Sequence, residues 1–239
     1  MDTASMARKL THWITQQVEA AEMQGVIFGL SGGIDSAVIA GLAKSALPTT
    51  SLGVIMPCHS NPEDREHALL VAKAFDLEVV DVDLSPVYDA FIAAASVGFE
   101  VPRLASANVK PRLRMTTLYY LAAMRSCLVL GTGNLSEYTI GYFTKHGDGG
   151  VDLMPIAGLV KAQVRELAAY LGVPQPIIVK PPSAGLWANQ TDEAEMGISY
   201  EQLDQYILTG EAEPRVKERV DRLAALSAHK KRLPPIPKL

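Results

Sequence analysis

The chain has 239 residues, 48% hydrophobic and 20% charged, with a formal net charge of −4, enough for one α/β domain with its own core. Mild acidity marks no general nucleic-acid-binding surface, and Cys58 and Cys127 form no CxxC pair, which argues against a disulfide scaffold, a zinc ribbon or a thiol relay. No apolar stretch approaches the ~20 residues of a membrane span and the N-terminus is no export signal, so a cytoplasmic protein is expected.

In chain order, residues 1–23 read as an amphipathic helix, with Leu10, Trp13, Ile14, Val18 and Ala21 on one stripe. GVIFGL (25–30) is a short apolar strand that runs through SGGIDS into the helical AVIAGLAKSAL. SLGVIM (51–56) is a second buried strand, stopped by Pro57, and residues 61–75 form a helix with Ala68, Leu69, Ala72 and Phe75 inward. EVVDV (78–82) is a third strand. Pro111 suits the first turn of a helix, which places Arg112 and Arg114 about 200° apart, so both cannot face one ligand. SCLVL (126–130) is a fourth strand, again running into a glycine loop, GTGN.

Residues 161–171 predict a helix with Val164, Leu167, Ala168 and Leu171 inward, ended by Gly172 and Pro174. Residues 180–197 have no apolar period and predict a mobile surface loop. A helix restarts at Ser199 with a capping box to Gln202, another covers 215–228, and a basic, proline-rich tail closes the chain. Short apolar strands alternating with helices predict a parallel sheet covered on both faces. Ligands of such sheets gather beyond the carboxyl ends of the strands, so both glycine loops are expected on one rim.

SGGIDS (31–36) predicts a phosphate grip. Gly32 and Gly33 let backbone N–H groups converge on an anion, the next helix offers its N-terminus, and Ser31 and Ser36 add hydroxyls. Asp35 fits beside phosphate only if a cation lies between, and Mg²⁺ meets that need. The loop is neither a Walker A motif nor GxGxxG. In GTGNLSE (131–137), Glu137 reads in two ways: as the capping-box partner of Asn134, or as a second Mg²⁺ carboxylate opposite Asp35. The next stretch, 141–161, sets a GDGG loop among Lys145, Asp148, Asp152 and Lys161. His59 reads as a surface histidine, and Trp187 either stacks on a base or covers the site.

SGGIDS resembles the pyrophosphate-gripping loop of the ATP pyrophosphatase superfamily. GTGNLSE, GYFTKHGDGGVD, KPPSAGLW and DEAEMGISYEQLDQYI stand in the order found in NAD synthetases, and the resemblance runs from the first helix to HKKR near the end. It implies a Rossmann-like (adenine nucleotide alpha hydrolase-like) α/β fold in a single synthetase domain, 1–239, with 180–197 as a mobile active-site loop. The implied reaction is ATP- and Mg²⁺-dependent amidation of nicotinic acid adenine dinucleotide (deamido-NAD) to NAD through an acyl adenylate. That step ends NAD biosynthesis and releases AMP and pyrophosphate.

By the same match, Gly29, Leu30, Ser31, Gly32, Gly33, Ile34, Asp35, Ser36, Thr132, Lys161 and Ser183 hold ATP. Asp35 and Glu137 hold Mg²⁺, with Asp35 and Lys161 catalytic. Arg112, Lys145, Asp152, His229 and Lys230 bind deamido-NAD. The match selects Arg112 over Arg114, which is then structural. A homodimer is implied, with no nucleic-acid or membrane partner.

One departure is Gly185, where the family pattern calls for an acidic residue after Ser183 and Ala184; that contact is then absent here or supplied by Asp192 or Glu193. The chain holds no amidohydrolase domain with a catalytic cysteine, so free ammonia, or ammonia from a separate glutaminase subunit, is the expected amide donor. Two rivals remain. A tRNA-modifying ATP pyrophosphatase would want a basic face and often paired cysteines, and a non-catalytic nucleotide sensor needs no second carboxylate opposite Asp35.

Overall fold

A computed structural model describes residues 2–96, 98, 100–187 and 190–237. Met1 of the first predicted helix, residues 188 and 189 of the predicted loop, and residues 238 and 239 of the tail lie outside it. Four strands, β1 (Gly25–Gly29), β2 (Ser51–Ile55), β3 (Glu78–Asp81) and β4 (Cys127–Leu130), form one parallel sheet in the order β3-β2-β1-β4. Strand alternation sorts side chains to opposite faces. Val26 and Phe28 of β1 join the core built with α1 (Thr3–Ala20), α2 (Ile34–Ala46), α3 (Pro62–Ala74) and α8 (Lys161–Leu171). Ile27, Val54 and Val129 face the other way, onto Leu118 and Ala122 of α6 (Val109–Arg125). The sheet is covered on both faces, as an α/β reading requires. Among the described residues no helix is long and apolar enough to cross a membrane.

A third apolar cluster lies beside the sheet. Ile140 of α7 (Leu135–Ile140) packs there with Met196 of α10 (Asp192–Met196), Leu203 of α11 (Tyr200–Thr209), and Val216 and Val220 of α12 (Pro214–Ser227). Helix α10 lies inside the segment predicted to be irregular: its five residues are too few for a periodic pattern, and Asp192 and Met196 are buried by distant partners. The sequence pattern also passed over α4 (Ser85–Ala95), α5 (Arg103–Ala107) and α9 (Gln175–Val179). On α3 the predicted inward Leu69 is 37% exposed, and Val71 takes the buried place.

Candidate active site

β1 and β4 are parallel neighbours, with Phe28 in register with Leu130. The loops that follow them therefore leave the same rim side by side, at the point where strand order reverses. Gly32 takes φ +78°, and a Cβ there would stand 2.2 Å from the Asp64 carbonyl oxygen, so the turn packs directly on the start of α3. Ser36 donates to the Gly33 carbonyl at 2.9 Å and stands 3.1 Å from the Ser31 hydroxyl. Helix α2 begins at Ile34 with no side chain capping it, which leaves its first N–H groups and the positive end of its dipole facing the cavity.

The rim opens onto a cavity of about 730 Å³, lined by every residue from Gly29 to Ser36 except Gly32, and by Thr132, Glu137, Lys161 and Ser183. Within it the Lys161 ammonium, its side chain 1% exposed, lies 2.5 Å from Asp35 Oδ2 and 3.3 Å from Glu137 Oε1. Asn134 joins both loops: its Nδ2 donates to Asp35 Oδ1 at 2.9 Å, while its Oδ1 accepts the Glu137 N–H at 3.0 Å. Glu137 serves both readings of its spacing, because Oε2 closes the capping box on the Asn134 N–H and Oε1 faces Lys161.

Burial pushes the Glu137 carboxyl up to about 7, with the Asp35 and Asp192 charges adding to the shift against Lys161. Burial opposes the Lys161 charge, but Asp35 and Glu137 outweigh it and raise its pKa. The Tyr200 hydroxyl stands 2.9 Å from Asp192 Oδ2 and 3.3 Å from Glu137 Oε1, so its one proton serves two carboxylates. Burial also raises Asp192. Three carboxylates thus gather around one lysine.

The other predicted residues divide. Lys230 lines the cavity, with its ammonium on the Gly141 and Phe143 carbonyls at 2.8 and 2.7 Å. Arg112, Lys145 and His229 form an exposed chain outside its lining: Arg112 donates to the Lys145 carbonyl at 3.4 Å, and Lys145 to the His229 carbonyl at 3.0 Å. Asp152 ties β4 to α6 by accepting the Val129 N–H at 2.8 Å and the Tyr119 hydroxyl at 2.9 Å. Arg114, read as structural, does hold the Met56 carbonyl at 3.1 Å and the Ser60 hydroxyl at 3.2 Å, but it also lines the cavity. His59 stays at the surface, 2.8 Å from Asp89.

Sequence reasoning missed Lys180, which lines the cavity beside the phosphate loop and pairs with Asp64 at 2.7 Å. It also missed Tyr200 and Asp204, and offered Asp192 only as one candidate for the loop's acidic residue. Only the KPP and DE contexts of Lys180 and Asp192 offered any local signal. Lys110 donates to the Leu186 carbonyl at 3.0 Å, and Trp187 lines the cavity with the Arg103 guanidinium 4.3 Å from its ring. Gly185 has φ +62°, and a Cβ there would lie 3.8 Å from Asp64 Oδ2. Glu193 caps the Tyr200 N–H at 2.9 Å, while Asp192 is the one of the pair on the cavity wall.

Comparison with known proteins places the chain in one family. The NAD synthase family model matches residues 6–234. An NH(3)-dependent NAD(+) synthetase of Carboxydothermus hydrogenoformans is 52% identical over 233 residues, spanning 97% of this chain and 96% of the relative. The solved NMN synthetase of Francisella tularensis aligns over the whole of both chains with a TM-score of 0.95 and 36% identity. The NH3-dependent NAD synthetase of Campylobacter jejuni does so with a TM-score of 0.83 and 31% identity. A shared rim of two glycine loops and a match along nearly every residue lead to one conclusion: the chain belongs to the NAD synthase family.

Proposed function

We propose that this chain is an ammonia-dependent NAD synthetase that amidates the nicotinate carboxyl of deamido-NAD, using ATP and Mg²⁺. The observation that carries the reading is the meeting of Asp35, Glu137 and Lys161 on the cavity wall, beside the uncapped start of α2. A free carboxylate does not accept ammonia, because its oxygen is a poor leaving group. A carboxylate oxygen attacks the α-phosphorus of ATP, the bond to the β-phosphate oxygen breaks, and pyrophosphate leaves. Ammonia then adds to the acyl carbon, the bond to AMP breaks, and a proton is released.

The chain's work is to bring two anions together and to stabilise charge. The loop 31–36 and the α2 N-terminus receive phosphate oxygens, and Lys161 and Lys180 offset their charge. The segment over the cavity, held by Lys110 and Arg103, keeps water from the adenylate. Asp35 and Glu137 suit a divalent cation: with Asp192 they give three carboxylates around one lysine, and Asp192 Oδ1 is buried without a donor. Mg²⁺ held by Asp35 and Glu137 would offset charge on the pyrophosphate.

Two further readings belong here. A homodimer is supported by α4, none of whose residues is buried although Val87 and Phe91 are apolar, and by Leu104, Tyr120 and Met124 on adjoining α5 and α6. Arg112 shares α6 with that face, which suits an acid substrate bound near a subunit boundary. A cytoplasmic location suits an enzyme that consumes ATP and deamido-NAD. A second acid substrate, nicotinic acid mononucleotide, is favoured by the whole-chain likeness to the NMN synthetase.

Mass spectrometry of AMP, NAD and nicotinamide mononucleotide, formed from ATP and ammonium with each acid in turn, tests both substrates. Replacing ammonium with glutamine tests the donor. Failure of both acids to drive pyrophosphate release would end the proposal.

A further inference from the structure

Once ATP and the acid fill the main cavity and the 181–187 segment covers it, the third substrate needs its own way in. Behind the wall lies a second cavity of about 200 Å³, between α7, α10 and α12. Gly141, Tyr142, Glu195 and Lys230 line both spaces. The partition is a hydrogen bond from the Tyr142 hydroxyl to the Glu195 carboxylate, steadied by Gln190 Nε2 at 2.7 Å on the same oxygen. Leu223 and Leu226 line the smaller cavity on the α12 side, and Leu226 is 67% exposed, so that side meets solvent.

The chemistry around the partition is short of donors. Asp192 and Glu137 present four carboxylate oxygens, served by the Tyr200 hydroxyl, the Asn134 N–H and Lys161, while the exposed Glu195 takes the Tyr142 hydroxyl and the Gln190 amide. Asp192 is 4% exposed, and its Oδ1 has no hydrogen-bond partner. The Lys230 ammonium points to backbone carbonyls instead. A buried acceptor without a donor is costly, and the deficit here is of both N–H donors and positive charge. Water brings two donors and no charge, whereas ammonium brings four donors and one positive charge.

We propose that the small cavity behind Tyr142 and Glu195 is the entrance for ammonium, with Glu195 and Asp192 Oδ1 as the acceptors that draw the ion through when the partition opens. The entrance rests on the amide-forming reading above and deepens it by assigning a place to the amine. The path runs beside the cover rather than through it, since Gln190 ties the partition to the Leu186 N–H at 2.8 Å; ammonium, which has no lone pair, leaves one proton on a carboxylate there and reaches the adenylate as ammonia.

The test separates the two half-reactions. Acid-dependent exchange of pyrophosphate into ATP reports adenylation and needs no amine, while amide formation reports both. Leu226→Trp fills the outer cavity from an exposed position, and Glu195→Gln removes the charge at the partition. Glu195→Gln is expected to raise KM for ammonium by roughly tenfold, the loss of one charge-assisted bond, and Leu226→Trp to raise it by narrowing the entrance, with KM for ATP and the exchange rate of Leu226→Trp near wild type. The larger nucleophile hydroxylamine is expected to lose more than ammonium in Leu226→Trp. KM for ammonium unchanged in both variants, with exchange intact, overturns the entrance. Absence of exchange in the unaltered protein instead overturns the amide-forming reading.

Discussion

Ser136 donates its hydroxyl proton to Asp204 across 2.5 Å in the protein interior, while the same oxygen accepts the Lys161 N–H at 3.0 Å. The other Asp204 oxygen takes the Ala162 N–H at 2.8 Å. One carboxylate of α11 thus ties the start of α8, which carries Lys161, to α7, which carries Glu137. Asp204→Ala leaves a buried hydroxyl and a helix start without acceptors and is expected to cost about 3 kcal/mol, read by urea denaturation. Because Lys161 and Glu137 lose their mutual placement, kcat should fall more than KM for ATP rises, with partial rescue in Asp204→Asn. Equal kcat in Asp204→Ala would show that the tie holds the fold alone.

Glu137 gives stability a pH signature. Its folded-state pKa of about 7 lies above the ordinary 4.5, so between those values the folded chain binds the proton that the unfolded chain has released. The stability this contributes is fully present below about 4.5 and is lost as pH rises through about 7. Glu137→Gln should therefore gain on the parent protein, in ligand-free thermal unfolding, as pH climbs across that window. A difference that stays flat from pH 4.5 to 8 would refute the shift.

Gly32→Ala tests the phosphate turn. At φ +78° a side chain adds strain of about 1 kcal/mol, and its Cβ would fall 2.2 Å from the Asp64 carbonyl oxygen. The loop must move off α3, which moves the N–H groups that receive phosphate. A lower Tm and a KM for ATP at least roughly tenfold higher are expected; an unchanged KM would place the nucleotide elsewhere.

The apolar face of α4 to α6 predicts concentration-dependent behaviour. Phe91→Glu combined with Met124→Glu should shift sedimentation from dimer to monomer, because each carboxylate would otherwise be buried without a partner. A parent protein that sediments as a monomer at every concentration would dispose of the homodimer.

The two glycine loops were legible because each is local: a strand, a turn without Cβ atoms and a helix start are neighbours in the chain. Their placement on one rim followed from parallel pairing alone. Arg112 and Arg114 did diverge around α6 as their spacing requires, yet Arg114 lines the cavity, since a residue can hold a carbonyl and still face a ligand. Lys180 and Asp204 stayed hidden. Each owes its role to a partner far away in sequence, such as Asp64 for Lys180 or Ser136 for Asp204. In a helix or loop of mixed polarity they look like solvated charges.

Gly131 closes against Val151, where a Cβ would come within 2.7 Å of Cγ2, and only six residues farther on stands Glu137, with Asn134 and Ser136 between. Insertions and deletions will sort along the chain accordingly. A single added residue between 131 and 137 would turn α7 by about 100° and swing the carboxylate, the amide and the hydroxyl off their partners together. Residues 100–102 are exposed and bear none of these ties, so a change of length there costs little.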